Sequence, residues 1–555
     1  PGADPVIPPI SGINHPKIFT LRNIPDTDKI KAFVEKEKPQ RVAIVGAGFI
    51  GLEMAENLHH LGIFVTVIEM ANQVMNVIDY EMAAEVNQHL KSKGVEFYLK
   101  EGVSAFNHQE NRIQLKLASG RNLLVDAVVL SVGVRPDTKL AKDTSLALGE
   151  RGGFKVNDYL QTNDPDIYAV GDAIEVKNPI TKKYGIVPLA GPANKQGRIV
   201  ADNIVFGHKK TYQGTIGTSI AKIFDLTVAV TGATEKLLKQ EKIPYISSII
   251  HVSSHAGYYP NALPMSLKIE FDPQTGKLLG AQGVGYEGVD KRIDVFAMAI
   301  QCSLTIYDLK DFEHSYAPPY SSAKDPVNMA AFVAENILQG QVKVIRWDEI
   351  HFLHKDEVVL LDVRNPEENA LGALEGSLNI PLNSLRKNLE KIPKDKKIII
   401  YCGVGLRGYL ASRILLQNGF AEIYNLSGGY KTYEIATQKQ DNGDIFEGYK
   451  VGLDDLISTQ EQKKTLNLDP SHFLEVNACG LQCPGPIMKV KTQVEQIQNG
   501  QKLLVKASDA GFYKDIQSWA RVTGHSLLSL ENNKGIISAL IQKLPKTLKK
   551  KKKLL

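Results

Sequence analysis

The tightest constraint on how this chain can fold is a run of glycines set between two apolar segments of different period. Arg41-Val-Ala-Ile-Val45 has the length and composition of a buried strand. Gly46-Ala47-Gly48-Phe49-Ile50-Gly51 follows at once, and Leu52 to Leu58 continues with helical spacing. A second apolar run, Phe64 to Ile68, ends in Glu69, about twenty residues past the glycines. Strand, glycine turn, helix and strand in that order make a crossover unit with parallel strands. The glycines let the backbone approach a pyrophosphate at a helix N-terminus, and the acid takes the ribose hydroxyls. Gly46, Gly48, Gly51 and Glu69 are therefore predicted to bind a dinucleotide in a Rossmann unit. The Glu69 carboxylate repels a 2′-phosphate, and Met70-Ala71-Asn72-Gln73 offers no arginine to hold one, so NADH is preferred over NADPH.

The same spelling recurs twice with other meanings. Gly283-Val-Gly285-Tyr-Glu-Gly288 precedes a helix-like run, Arg292 to Cys302, but no strand ending in an acid follows. It reads as a tight turn packing a helix on a sheet, with Cys302 a buried structural thiol. Gly403-Val-Gly405-Leu-Arg-Gly408 follows a strand, Lys397 to Tyr401, and opens a helix. Its next strand, Glu422 to Asn425, ends in asparagine, and Cys402 stands directly before the glycines. A pyrophosphate site has no use for a thiol there, whereas a persulfide cradle does. Amide groups of the loop Cys402–Arg407 and the charge of Arg407 are expected to favour a Cys402 thiolate.

The other chemically loaded stretch is Cys479-Gly-Leu-Gln-Cys483-Pro484-Gly-Pro486. Proline is tolerated at a first helical position, so Cys483 is expected at a helix N-terminus, where the macrodipole favours a thiolate. The pair Cys479 and Cys483 supplies too few ligands for zinc, and no metal site is predicted. Cys479 reads equally as an accessory thiol or a bystander.

The totals bound the rest. A length of 555 residues suggests three to five domains, and 43% hydrophobic with 23% charged residues is ordinary for a globular chain. No apolar run nears the roughly 20 residues of a membrane span. Four cysteines without framework spacing predict a reducing compartment, the cytoplasm. Seven lysines lie after Gln542; taking them from the net +5 leaves −2, a near-neutral body with no case for nucleic-acid binding. The first dozen residues are turn-rich and are expected to hold no strand of their own.

Further segments carry a resemblance. Val125 to Pro136, including Gly133, and Gln161 to Ala173, ending Gly171-Asp172-Ala173, resemble the FAD-dependent pyridine nucleotide–disulfide oxidoreductases. That resemblance implies that Asp172 holds the ribityl chain of FAD and that Glu53 lies near the flavin on the nicotinamide side. The segments His255-Ala-Gly-Tyr-Tyr-Pro260 and His314 to Asn328 resemble the coenzyme A-disulfide and persulfide reductases. In that group a tyrosine of the dimerisation domain reaches the partner's redox cysteine; Tyr316 is the best match, the alternative being a packed aromatic in a proline-rich turn, and the resemblance of Gly214 to Asn336 implies a homodimer. Val358 to Glu368, Gly376 to Pro381 and the Cys402 loop resemble a rhodanese domain, and Leu474 to His525 resembles TusA-like sulfur carriers, Cys483 matching their signature cysteine. The family carries a first nucleotide motif and a redox cysteine with no counterpart here. About a hundred residues of one nucleotide-binding unit are expected to precede Pro1, and the chain as it stands is expected to bind FAD poorly and not to reduce disulfides.

The reading is an α/β multidomain chain: a remnant of an FAD domain (1–38), an NAD(H)-binding Rossmann domain (39–150), a second FAD-domain segment (151–213), an α+β dimerisation domain (214–340), a rhodanese domain (344–440), a linker (441–467), a TusA-like α/β sandwich (468–544) and a lysine-rich tail (545–555). Its implied work is reduction of CoA disulfide, CoA persulfide or polysulfide with NADH and FAD, coupled to sulfur transfer through Cys402 and Cys483. Sulfur-relay proteins are candidate partners. The alternative is a non-reducing carrier in which the two thiols hand sulfane sulfur to partner proteins.

Overall fold

The parallel unit read from the glycine run is the centre of a five-stranded sheet. In the computed structural model, which describes residues 2–354, 356–443, 473–481, 485–509, 511–533 and 535–544, strands Ile18–Thr20, Ala127–Leu130, Arg41–Val45, Phe64–Glu69 and Glu96–Leu99 lie in that spatial order. All four pairings are parallel. Helices Phe49–His60 and Tyr80–Ser92 cross over between strands and bury Leu52, Ala55, Val86 and Leu90. A three-stranded antiparallel sheet, Val103–Gln109, Arg112–Leu117 and Asn122–Val125, packs on the other face through Phe106, Ile113 and Leu115.

The first residues do form a strand, against expectation. Ala3–Pro5 pairs antiparallel with Val134–Pro136, some 130 residues on. Three residues show no periodicity, and their partner is too remote to suggest itself.

Ser219–Ile223, Leu226–Gly232, Leu278–Gly285, Pro264–Phe271 and Ile246–Ser253 form an antiparallel sheet covered by helices Val289–Gln301 and Pro326–Leu338. Here the second glycine match packs helix on sheet: a Cβ on Gly283 would lie 2.8 Å from Val289 and 3.5 Å from Ile293. Cys302 departs from its predicted burial. It caps Val289–Gln301 at the C-terminus and is exposed, because the apolar stripe of that helix ends at Ile300, two residues earlier.

This sheet is joined to the nucleotide unit by a buried ionic cluster. The Lys268 ammonium lies 2.8 Å from Asp79, 2.5 Å from Glu81 and 2.8 Å from Glu235. These three carboxylates are close enough to hold a metal ion, but the ammonium occupies that role. A cation fully out of water requires such partners, since removing one would leave an uncompensated charge.

The next unit is again parallel: Lys343–Ile345, Ile423–Leu426, Lys397–Tyr401, Val358–Asp362 and Leu378–Asn379 in spatial order. It docks on the edge strand Ile246–Ser253. The Ile249 N–H donates to Ser427 Oγ at 3.2 Å, and His251 links Ser266 and Thr432 at 2.8 Å each. Burial, then Lys431, push the His251 imidazole well below its usual range, so it is neutral there. The last unit is a mixed four-stranded sheet, Phe473–Asn477, Lys502–Ala507, Ile536–Gln542 and Ser526–Asn533, with helices Gly485–Gln496 and Phe512–Thr523. Cys483 and the lysine run from Lys546 lie outside the described residues.

Candidate functional site

Strand ends bring the first candidate group together. Gly46 N–H donates to Ile68 O at 2.8 Å and Ser131 N–H to Val45 O at 2.7 Å, so three strands terminate at one level. Gly46 has φ +104, and a Cβ there would lie 2.2 Å from Ser131 O. Gly51 is equally obligatory, its Cβ falling 2.1 Å from Gly46 O. By contrast, a Cβ on Gly48 or Gly133 meets nothing within 4 Å. Two of the glycines thus build the turn, and the other two leave backbone facing open space, the arrangement a pyrophosphate needs. Glu69 accepts from Ala47 N–H and Ala71 N–H, each at 2.8 Å, which fixes its carboxylate against the loop.

Asp172 and Glu53 sit on other elements. Asp172 lies in the turn Gly171–Ala173, where Gly171 N–H donates to the buried Gln196 side chain at 2.6 Å. Among the described residues the Asp172 carboxylate takes no hydrogen bond, so its oxygens fit the hydroxyls of a flavin chain. Glu53 is exposed on Phe49–His60, its carboxyl pushed up first by partial desolvation and then by Glu56.

The thiol of Cys402 is buried and accepts the Gly405 N–H at 3.2 Å. The loop is shorter than its sequence suggests, because Gly405, at φ +106, caps helix Leu406–Gln417. A second helix, Gly429–Thr437, presents its N-terminus to the loop: Tyr430 N–H donates to Cys402 O at 2.7 Å and Lys431 N–H to Gly403 O at 3.0 Å. A Cβ on Gly429 would lie 2.6 Å from Cys402 O, so this approach requires glycine. Arg407 stands in the first turn of its helix and is clasped by Glu368 at 2.7 and 2.6 Å. Its charge is thus balanced, and the sulfur's hydrogen-bond donor is an amide. Glu368 was legible as the acid of a capping box, Asn365-x-x-Glu368, but its reach across 39 residues to Arg407 was not.

Tyr316 is half exposed, and its hydroxyl shares a hydrogen bond of 3.1 Å with Tyr258. That bond pushes the Tyr316 phenol above its ordinary range, so it stays protonated. Tyr258 belongs to the segment His255–Pro260 and had no role assigned from sequence. In the last unit, Cys479 is half-buried; burial pushes its thiol up, opposed by Lys506.

A cavity of about 360 Å³ joins these units. Gly403 and Val404 of the Cys402 loop line it together with Gly480 and Leu481, and His89 and Tyr286 close it from the nucleotide and dimerisation units.

Comparison with known proteins gives matching results over most of the chain. Residues 1–197 match the pyridine nucleotide-disulphide oxidoreductase family and 218–326 its dimerisation domain; 350–436 match the rhodanese-like domain and 474–543 the sulfurtransferase TusA. A coenzyme A disulfide reductase of Staphylococcus aureus is 36% identical over 317 residues, covering 57% of this chain and 71% of the relative. The crystal structure of reduced Bacillus anthracis CoADR-RHD is 50% identical with a TM-score of 0.76, over 79% of this chain and 78% of that one. The NAD-dependent persulfide reductase of A. fulgidus is 39% identical with a TM-score of 0.73, over 78% of each chain. No helix among the described residues is long and apolar enough to cross a membrane. The family's working groups are FAD and a nicotinamide nucleotide, and the open glycine cradle and the unengaged Asp172 fit both. The chain belongs to the pyridine nucleotide-disulphide oxidoreductases, with rhodanese and TusA domains joined to the reductase.

Proposed function

We propose that this protein reduces the sulfur–sulfur bond of CoA disulfide, CoA persulfide or polysulfide with electrons from NADH, and that Cys402 and Cys483 pass sulfane sulfur in the same molecule. The cavity shared by the Cys402 loop, the carrier domain and the reductase units carries this reading, since it gives the domains a common space. NADH would lie on Gly46, Gly48, Gly51 and Gly133 with its ribose on Glu69; FAD would be held in part by Asp172, with Glu53 on the nicotinamide side. Bound FAD supplies the two-electron step between nicotinamide and sulfur.

The residues of this chain do the rest. A Cys402 thiolate attacks the outer sulfur of a donor such as thiosulfate, the donor's S–S bond breaks with sulfite leaving, and Cys402 becomes a persulfide; the Gly405 N–H that donates to its sulfur would favour the charged form. Arg407 and Glu368 hold the loop's helix in place. Tyr316, kept protonated by Tyr258, donates a proton to a departing thiolate of the partner subunit in a homodimer. The place of action is the cytoplasm, where thiols stay reduced.

Flavin-loaded protein should oxidise NADH on addition of CoA disulfide or CoA persulfide, and more slowly with NADPH. Full-length protein that carries the family's first nucleotide motif and redox cysteine, is flavin-loaded and still consumes no NADH with either substrate would refute the reading.

A further inference from the structure

The carrier domain's loop Ala478–Leu481 lies between two chemistries. On one side Gly480 and Leu481 border the cavity that also holds Gly403 and Val404 beside Cys402. On the other, the loop meets the reductase backbone to backbone. A Cβ on Gly480, at φ +79, would lie 2.3 Å from the Gly257 carbonyl oxygen, and one on Gly257 would lie 3.3 Å from the Gly480 oxygen. Two glycines 223 positions apart thus permit an approach that a side chain on Gly480 would block. The loop is pinned from its own domain: Gly480 N–H donates to Ser508 Oγ at 2.8 Å and Cys479 N–H to Asn477 Oδ1 at 2.9 Å. Gly257 is followed by Tyr258, whose exposed hydroxyl meets that of Tyr316. The residue after Cys479 therefore abuts the residue before Tyr258.

We propose that the carrier domain delivers its persulfide directly to the Tyr258–Tyr316 site, so that a protein-borne persulfide is a substrate of this reductase alongside small ones. The proposal rests on the reductase reading above and adds a substrate to it. In the net reaction the sulfur–sulfur bond of the carrier persulfide breaks, the outer sulfur leaves as hydrogen sulfide, and the carrier thiol is restored. NADH supplies the hydride and solvent one proton: carrier–S–SH, NADH and H⁺ give carrier–SH, H₂S and NAD⁺. The tyrosine hydroxyls donate to the sulfur that carries the developing negative charge.

The test uses flavin-loaded enzyme freed of CoA. Thiosulfate loads Cys402, with sulfite leaving, and mass spectrometry counts the persulfides formed; NADH is then added and its oxidation followed in a single turnover. One NADH consumed and one sulfide released per persulfide, without CoA, is the expected result. Cys479→Ser and Cys483→Ser identify which thiol bears the sulfur, one of them slowing the step at least tenfold. Gly480→Ala should slow it similarly while CoA disulfide turnover stays at the wild-type rate. Loaded enzyme that oxidises no NADH until CoA is added, or that oxidises it equally in both serine variants, would overturn the proposal and leave the reductase reading intact. Failure to turn over CoA disulfide as well would bring down both.

Discussion

Two loops of this molecule share a spelling and a setting yet hold different things at their centres. Each follows the middle strand of a five-stranded parallel sheet, opens a helix, and is touched by the end of the next strand. In the first, Glu69 accepts from Ala47 N–H; in the second, Asn425 donates to Gly405 O at 3.1 Å. The third glycine of each allows close packing, Gly51 against Gly46 O and Gly408 against Asn425 Oδ1, both with a would-be Cβ at 2.1 Å. The difference is in the middle. The left-handed residue is Gly46, the first glycine, in one loop and Gly405, the second, in the other. The shift leaves open space at Gly48, whereas at the other loop it turns the Gly405 amide onto Cys402 sulfur. What such a loop binds is decided by which group its amides face, not by how many glycines it has.

The comparison fails most visibly at Cys402. Cys402→Ser should lower thiosulfate sulfurtransfer by at least about a thousandfold, the loss expected on removing a nucleophile, with NADH-dependent turnover of CoA disulfide unchanged. A variant that retains sulfurtransfer would make the second loop an ordinary helix turn.

Acid should loosen the domain that carries the first loop from the antiparallel sheet beside it. Burial alone would push Glu235 up, but Lys268 and Lys239 hold it down at about 2, below the ordinary 4.5. A carboxyl depressed in the fold stabilises fully above its unfolded value. That contribution, about 3 kcal/mol, is lost as pH falls from about 4.5 towards 2. Glu270, pushed up by burial, acts in the opposite sense at higher pH. Hydrogen exchange across this acid range should show the nucleotide unit loosening from the sheet around Lys268, with the loss abolished in Glu235→Gln. Exchange unaltered by that substitution would remove the cluster from the account.

Gly48→Val should weaken NADH binding by about tenfold to a hundredfold by filling the space that the pyrophosphate requires, while thermal stability changes little. Calorimetric titration checks it, and an unchanged Kd would place the nucleotide elsewhere. Glu69→Gln is the smallest change. The ratio of NADPH to NADH affinity should rise about threefold to tenfold as one charge repulsion disappears. A fall in that ratio would give the carboxylate another role.

Much of this comparison was legible in the sequence because it is local. The strand before each loop, the glycines and the helix after them occupy one stretch of chain, and the cysteine beside Gly403 marked the second loop as different. What escaped depends on distant pairs. Ala3–Pro5 became a strand by finding Val134–Pro136. Arg407 brings a charge to the Cys402 loop, as its position suggests, but Glu368 matches it. The contact of Gly480 with Gly257 joins segments whose separation no periodicity records.

Cys302, turned outward at the end of its helix, has a practical corollary for anyone counting thiols. A labelling reagent meets it before it meets the sheltered sulfur of Cys402. Early label therefore includes a bystander, which Cys302→Ser removes from the count.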